Sequence, residues 1–213
     1  MKINKRQRIN FFTYYGWTIP LFLVGFWVTF YFIYNNVYAP KKYEKLVMFY
    51  AAYNLKDNSI HKEMKNALKP YGCLEVDYYD YSLTNPEIAK YYNTLKPNTD
   101  LFVMSEQDLT DMKEEISGQY MKLSNIILDK IHIPTTYQYY SYDETTYGIK
   151  IYDKNDNDYN QFTKFQNWIN FSFEDKTDNF YLVINCDSVN FDDEKGHTLG
   201  YKGLEYLLNG SIQ

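Results

Sequence analysis

Arginine, cysteine and histidine are scarce in this 213-residue sequence, and each shortage excludes a class of function. Both arginines lie in the first ten residues, so the rest of the chain has no guanidinium to hold a phosphate or carboxylate in two parallel hydrogen bonds. Two cysteines cannot build a disulfide scaffold. The three histidines share no metal-ligand spacing, and no nucleophile, phosphate-loop or dinucleotide motif is present. We therefore expect no enzyme, no cofactor and no metal site.

Charge is absent from residues 11–40, and this gap divides the chain. The first ten residues carry four basic side chains and no acid, whereas the part from Lys41 onward has a net charge of −9. A net negative domain disfavours nucleic-acid binding. We therefore expect a cytoplasmic tail at residues 1–10, an uncharged segment, and an acidic domain at residues 41–213.

The uncharged segment predicts a single transmembrane helix at residues 11–36. Its apolar part would be about 36 Å long as a helix, which is enough to cross a hydrocarbon core about 30 Å thick. Tyrosine and tryptophan at both ends suit the two membrane interfaces. Pro20 is a candidate kink, and Gly16 and Gly25 would let a neighbouring helix approach closely.

Two alternatives to a membrane anchor are a buried core helix and a cleaved signal peptide. A core helix is disfavoured because the segment has no polar stripe. The apolar run is longer than the h-region of a signal peptide. The only small residue that could end a cleavage site is Ala39, and the proline that follows it at position 40 disfavours cleavage there. The four basic residues before the segment favour a cytoplasmic N-terminus and an extracellular domain. Lys41, Lys42 and Lys45 follow the segment closely and reduce the difference in basic residues between its two ends.

The first third of the domain alternates strands and helices. Apolar runs predict strands at residues 46–53 and 100–104, and an alternating pattern predicts another at residues 73–81. Helices are expected at residues 60–68, at residues 84–95, and after Ser105 with Leu109, Met112 and Ile116 on its apolar face. This order predicts an α/β fold with a mostly parallel sheet flanked by helices.

The pattern changes after Lys122. A hairpin is expected from residues 137–142 and 147–152, a buried strand at residues 180–185, and a closing amphipathic helix at residues 199–208. Cys73 and Cys186 fall on strands that are not expected to be neighbours, which favours two free buried thiols.

Five short stretches carry a resemblance to a known family. Taken in order, they resemble the N-terminal lobe of the extracellular solute-binding proteins of ABC importers, in the carbohydrate-binding branch. The stretches are residues 46–50, 74–78, 99–104, 146–151 and 181–185. The resemblance implies a solute-binding-protein-like lobe, but the 28 residues after Asn185 are too few for the second lobe that encloses the ligand in that family.

A parallel sheet binds ligands outside the carboxyl ends of its strands. This rule selects seven candidate ligand-binding residues: Tyr53, Asn54, Asp80, Tyr81, Ser82, Ser105 and Glu106. Their rings, carboxylates and amides suit a sugar. The alternative is structural, because Ser105 also fits a helix cap and strands favour tyrosine.

Two other patterns have competing interpretations. The tyrosine clusters at residues 78–81 and 137–142 suit a protein-binding surface, but the chain is rich in tyrosine, asparagine and lysine throughout. Asp153 opens a stretch that resembles a calcium loop, but Asp158 replaces the required glycine and Lys164 the required glutamate, so we expect a solvated loop.

These observations favour a single-pass accessory subunit of an ABC-type importer for carbohydrates, whose outer domain docks on the permease or its solute-binding protein. The alternative is a membrane-anchored ligand sensor that signals through a partner's helices. A third hypothesis is a purely structural envelope protein. A cytoplasmic tail of about ten residues is too short to hold an effector domain, so the first two functions require a membrane partner.

Overall fold

Met1–Pro40 and Lys41–Gln213 form two separate units of the chain. The computed structural model describes residues 16–51, 54–57, 59–80, 92, 94–163, 165–173 and 176–212. Residues 11–15 of the predicted membrane segment therefore lie outside the described part of the chain.

The first unit contains helix α1 (Thr18–Ile33), which continues as a π-helical turn at Tyr34–Tyr38. Together they form the one helix among the described residues that is long and apolar enough to cross a membrane. Pro20 lies in the first turn, where backbone N–H groups have no intrahelical acceptor, and it does not interrupt the helix. Gly16 lies in the turn before α1. Gly25 lies in the helix with open space around it, as a close neighbour would require.

The second unit is built on a six-stranded sheet with two short additional ladders. Its strands are β1 (Lys45–Tyr50), β2 (Asn54–Leu55), β3 (Glu75–Asp80), β4 (Leu101–Ser105), β5 (Tyr139–Tyr142), β6 (Thr145–Tyr152), β7 (Ile169–Asn170), β8 (Ser172–Phe173), β9 (Lys176–Thr177) and β10 (Phe180–Ile184). The main sheet has the order β3-β1-β4-β10-β6-β5, and the short ladders are β2 with β7 and β8 with β9.

The sheet is mixed, so the prediction of a mostly parallel sheet is wrong for its second half. β1 is parallel to both β3 and β4, as the alternating strands and helices predicted. β10 is antiparallel to β4 and to β6, and β5 is antiparallel to β6. The reason is local for β5 and β6, because a two-residue turn can join only antiparallel strands. For β10 the reason is non-local, since the strand begins beside the carboxyl end of β4, where Phe180 pairs with Ser105.

Helices cover both faces of the sheet. They are α2 (Ser59–Leu68), α3 (Glu106–Asp111), α4 (Ile116–Gln119), α5 (Asn125–Lys130), α6 (Asn157–Thr163) and α7 (Leu199–Asn209). The single helix expected after Ser105 is divided into α3 and α4. Thr110 and Asp111 end α3 because both residues have low helix propensity. The predicted helix at residues 84–95 falls mostly outside the described residues.

A hydrophobic cluster lies on each face of the sheet. On one face, α2 and α7 pack on β1 through Met64, Leu204 and Leu46, which are all buried. On the other face, Leu109 of α3 packs with Phe49 and Phe102. Burial of a side chain of this size contributes about 1.5–3 kcal/mol, so the two clusters are the main source of the domain's stability.

Both cysteines are free, as expected. Cys73 is buried just before β3, whereas Cys186 is only half-buried. Cys186 was expected to be buried. It lies beyond the last residue of β10, where the helices no longer cover the chain on both sides.

Candidate functional site

The carboxyl ends of β1, β3 and β4 lie at one edge of the sheet, where three of the seven predicted ligand residues, Asp80, Ser105 and Glu106, are placed. β1 ends at Tyr50, which pairs in register with Asp80 at the end of β3. On its other side, Tyr50 pairs with Val103, two residues before Ser105. One strand therefore separates Asp80 from Ser105, a distance of about 10 Å across the sheet.

The segment after β1 turns away from this edge. The backbone of Asn54 pairs with Asn170 in the β2–β7 ladder. After Leu55, Lys56 and Asp57 donate their N–H groups to the Trp168 carbonyl at 2.7 and 3.4 Å. Tyr53, Tyr81 and Ser82 lie outside the described residues. The structure therefore does not test these three as ligand-binding residues.

Buried Tyr50 and His61, together with the exposed Tyr78, form a group beside Asp80 that is here called the Tyr50 cluster. The Tyr50 hydroxyl is 3.0 Å from Nε2 of His61, and the His61 ring stacks on Tyr78 with centroids 3.9 Å apart. Tyr50 and His61 are only 2% and 6% exposed. Burial, followed by the charge of Asp80, raises the pKa of the Tyr50 phenol. The cluster attaches α2 to the sheet, and the buried Tyr50 and His61 side chains are closed to a ligand.

Asp80 is the accessible member of this edge. Its Oδ2 accepts the Leu55 N–H at 3.4 Å, which is a weak hydrogen bond. Partial burial raises the pKa of the Asp80 carboxyl. The carboxylate keeps free lone pairs, but within the described residues it is the one predicted side chain here that a ligand could reach.

Ser105 and Glu106 have structural roles. Ser105 Oγ accepts the Asp108 N–H at 3.0 Å, which caps α3, and donates to Asp108 Oδ2 at 2.7 Å. The Glu106 carboxylate accepts a hydrogen bond from Asn179 Nδ2 at 2.6 Å, just before β10. Burial raises the pKa of Asp108. These side chains fix the start of α3 against β10 and do not join Asp80 in one site.

A separate cleft lies where α6 and α7 both end, and we call it the α7 cleft. It encloses about 530 Å³, within the range of small-molecule sites. Two aromatic rings and four polar side chains form much of its wall: Phe162, Trp168, His132, Gln161, Asn209 and Ser211. Among the described residues, its lining includes no lysine, arginine, aspartate or glutamate.

Packing holds the two aromatic rings of the α7 cleft in place. Phe162 is 41% exposed and packs on Tyr137 with ring centroids 5.1 Å apart. Trp168 is half-buried and meets Phe165 edge to face at 5.5 Å. The Tyr137 hydroxyl donates to the Leu208 carbonyl at 2.9 Å, which ties this wall to the end of α7. The cleft therefore presents aromatic surface that does not need to rearrange before contact.

The polar wall of the α7 cleft contains an unsatisfied amide. Nδ2 of Asn209 donates to the carbonyls of Ile131 and His132 at 3.4 and 3.3 Å. Its Oδ1 is buried and has no hydrogen-bond partner in the described part of the chain. His132 has a positive φ of 48°, and its Nδ1 lies 3.4 Å from the fully buried Glu205 carboxylate. The Glu205 carboxylate therefore contacts the ring of His132, which lines the cleft.

Sequence patterns did not indicate the α7 cleft. Phe162 and Trp168 belong to a stretch that is hydrophobic without a clear period, and the other wall residues come from two distant segments. The one available signal was that irregularity, because aromatic residues outside a periodic pattern need not face the core.

No described residues form a metal site: groups of three or more histidine, cysteine, aspartate or glutamate side chains are absent from this part of the chain. In the loop that resembles a calcium site, Asp156 Oδ1 caps α6 by accepting the Tyr159 N–H at 2.9 Å. Burial alone would raise the pKa of Asp153, but the hydrogen bond and charge of Lys150, together with backbone hydrogen bonds from Asn155 and Asp156, hold that pKa below its ordinary value. Both carboxylates thus serve the local fold.

Comparison with models of protein families found no match to this chain. Comparison with curated proteins also found no match. The resemblance to solute-binding proteins therefore remains a hypothesis that rests on the five sequence stretches.

Proposed function

We propose that this protein is a single-pass, membrane-anchored accessory subunit of an ABC-type importer for carbohydrates. Its domain of residues 41–213 would lie outside the membrane and dock on the permease or on the solute-binding protein. The observation that supports this best is the position of β10. The stretch that resembles the returning strand of a solute-binding protein lies inside the sheet, antiparallel between β4 and β6.

The anchor is the second support for this proposal. The Thr18–Tyr38 segment contains no charged residue, and none of its side chains is buried by the rest of the protein. A helix that exposes apolar residues on all sides suits a lipid environment. The basic residues before it favour a cytoplasmic N-terminus.

The orientation is tested with protease added to intact cells that carry a C-terminal tag. We expect the protease to digest the domain without cell lysis, while a cytoplasmic marker protein stays intact. Protection of the tag until the cells are lysed would place the domain in the cytoplasm and overturn the orientation.

The docking is tested by crosslinking the tagged full-length chain in native membranes, followed by purification in a mild detergent. We expect importer permease and ATPase subunits to be enriched over an anchor-only control that ends at Pro40. The control separates contacts of the domain from contacts of the helix. Recovery of the full chain with no importer subunit above the control would overturn the accessory function.

A ligand sensor is a second candidate function, and the α7 cleft is the observation that favours it. The two functions differ in what a deletion removes. Loss of an accessory subunit should reduce the uptake of labelled sugar. Loss of a sensor should leave uptake by an expressed importer intact and abolish the cell's response to the sugar.

A further inference from the structure

We propose that the α7 cleft binds an uncharged saccharide, with one sugar ring stacked on Trp168 and Phe162. This inference rests on the cleft alone and does not depend on the importer, because a cleft can bind its ligand whether or not the domain has a partner. It also differs from the site predicted at the strand ends, which shares none of these residues.

The charge of the cleft selects the class of ligand. The described lining residues include neither a basic lysine or arginine side chain nor an acidic aspartate or glutamate side chain. A phosphate or carboxylate would lose its hydration without gaining a cationic partner, and an amine would find no carboxylate. An uncharged ligand does not meet this penalty.

The aromatic walls favour a ring with an apolar face. Phe162 and Trp168 expose part of their surface to the cleft, and both rings are held by neighbouring aromatic residues. The Trp168 indole N–H has no hydrogen-bond partner among the described residues, so it remains available to a hydroxyl oxygen. An aromatic ring that combines an apolar face with a free N–H suits a sugar ring with C–H groups on one face and hydroxyls at its edge.

The polar groups of the wall favour a ligand with several hydroxyls. Asn209 Oδ1 is a buried acceptor without a donor in the described part of the chain, and leaving such an atom unsatisfied is unfavourable. The side chains of Gln161 and Ser211 make no hydrogen bond within the described residues. Together they offer acceptors and donors that an apolar ligand would leave unpaired.

His132 adds a further contact that the helix end alone does not require. It follows the end of α5 in a left-handed conformation, a position where glycine is the usual residue. Glycine would end the helix equally well, whereas histidine also places an imidazole on the cleft wall. Its other neighbour, Glu205, is already paired with Lys202 at 2.8 Å.

The test is a fluorescence titration of the full-length protein in phospholipid nanodiscs, which avoids sugar-based detergents. Trp17→Phe and Trp27→Phe leave Trp168 as the only tryptophan. The probes are maltotriose, cellotriose and chitotriose, with a trimer of galacturonic acid as the charged control. We expect at least one neutral trisaccharide to change Trp168 emission with a Kd of about 1 mM or tighter, and the charged trimer to have no effect.

Two variants distinguish the α7 cleft from another binding surface, with calorimetry as the readout. Phe162→Ala removes an exposed ring and should weaken binding about tenfold, whereas Tyr142→Ala removes a ring of similar exposure on the edge strand and should not change it. His132→Gly should also weaken binding while the helix end is preserved.

Three outcomes would overturn the inference: no response to any neutral trimer at about 10 mM, equal binding of the charged trimer, or undiminished binding by folded Phe162→Ala. Far-ultraviolet circular dichroism confirms folding in each case. Failure of saccharide binding would leave the crosslinking test of the importer unaffected, so the two proposals can fail separately.

Discussion

Asn185 is fully buried although its side chain is polar, and its amide joins separate parts of the domain. Its Nδ2 donates to the carbonyls of Lys96 and Thr99 at 2.8 and 2.6 Å, which ties the end of β10 to the approach to β4. Beside it, Asp100 Oδ2 accepts the Val47 N–H of β1 at 2.7 Å. Burial raises the pKa of Asp100, and its hydrogen bonds oppose this rise. These polar groups are satisfied by the fold, unlike the Oδ1 atom of Asn209.

Replacing this amide should be costly. We expect Asn185→Ala to reduce the free energy of unfolding by about 2–3 kcal/mol, because two carbonyls in the interior lose a donor. Urea unfolding of the full-length protein measures the change. Asn155→Ala, at an exposed loop position, is the matched control and should change stability by less than about 0.5 kcal/mol. Equal effects of the two variants would contradict the role given to Asn185.

The Tyr50 cluster allows a smaller test of the same kind. Tyr50→Phe removes the hydroxyl that lies 3.0 Å from His61 and keeps the ring. We expect a loss of about 1 kcal/mol in the free energy of unfolding, the usual contribution of one buried hydrogen bond. Tyr142→Phe, at an exposed position, should leave stability unchanged. A neutral result for Tyr50→Phe would mean that the contact with His61 does not stabilise the fold.

At the scale of elements, α7 depends on glycine for its close approach to the preceding turn. A Cβ atom at Gly200 would lie 2.6 Å from Cδ2 and Cζ of the Phe191 ring. This ring is 4% exposed and has little room to move. We expect Gly200→Ala to destabilise the protein by about 1–3 kcal/mol, as overpacking does elsewhere.

The matched control for this prediction is Gly118→Ala in α4, where an added Cβ meets nothing within 4 Å. Alanine is the better helix former, so this variant should be neutral or stabilising by up to about 1 kcal/mol. Thermal unfolding of both variants checks the pair. A smaller loss at Gly200 than at Gly118 would contradict the packing described for α7.

The β5–β6 hairpin carries strain that can be relieved. Its two turn residues, Asp143 and Glu144, have φ of 49° and 58°, values that favour asparagine and glycine in a two-residue turn. We expect Glu144→Gly to raise the free energy of unfolding by about 0.5–1 kcal/mol. Glu114→Gly, at an exposed turn residue without positive φ, should lower it slightly. Thermal unfolding would contradict the assignment of strain if both variants lowered the midpoint.

The parts of the fold that the sequence predicts are those with a local cause. The apolar runs at β1, β4 and β10 and the periodic pattern of α2 each indicate their own element, and all four are confirmed. The place of β10 inside the sheet depends on contacts far apart in sequence, which no local period encodes. The α7 cleft escaped prediction for the same reason, since Phe162, His132 and Asn209 meet only through the packing of three separate segments.

At the scale of the whole molecule, buried tyrosines should make the domain sensitive to alkali. Burial raises the pKa of both Tyr159 and Tyr201 to about 12, above the ordinary value of 10.0. Above this ordinary value the unfolded chain loses protons that the folded chain retains. Stability should therefore fall as pH rises, by at most about 1.4 kcal/mol per pH unit for each such tyrosine.

Urea unfolding at a series of pH values checks this expectation, with absorbance at about 295 nm reporting phenolate. We expect little change between about pH 7 and 9 and a steady loss above about pH 10. Tyrosines whose pKa is raised in the folded state should ionise over the same pH range in which the protein unfolds. A free energy of unfolding that stays constant to about pH 12 would show that the buried phenols ionise as easily in the folded state as in the unfolded state.

The position of β10 also has a consequence for the order in which the protein folds. This strand lies between β4 and β6, and the Asn190 amide beyond it donates to the Lys45 carbonyl, a contact between residues 145 positions apart. Loops of that length close slowly. During synthesis, β1, β3 and β4 emerge early, but β4 lacks its neighbour β10 until residue 184 has left the ribosome. The nascent sheet must therefore remain incomplete, with the edge of β4 open, until β10 has been made.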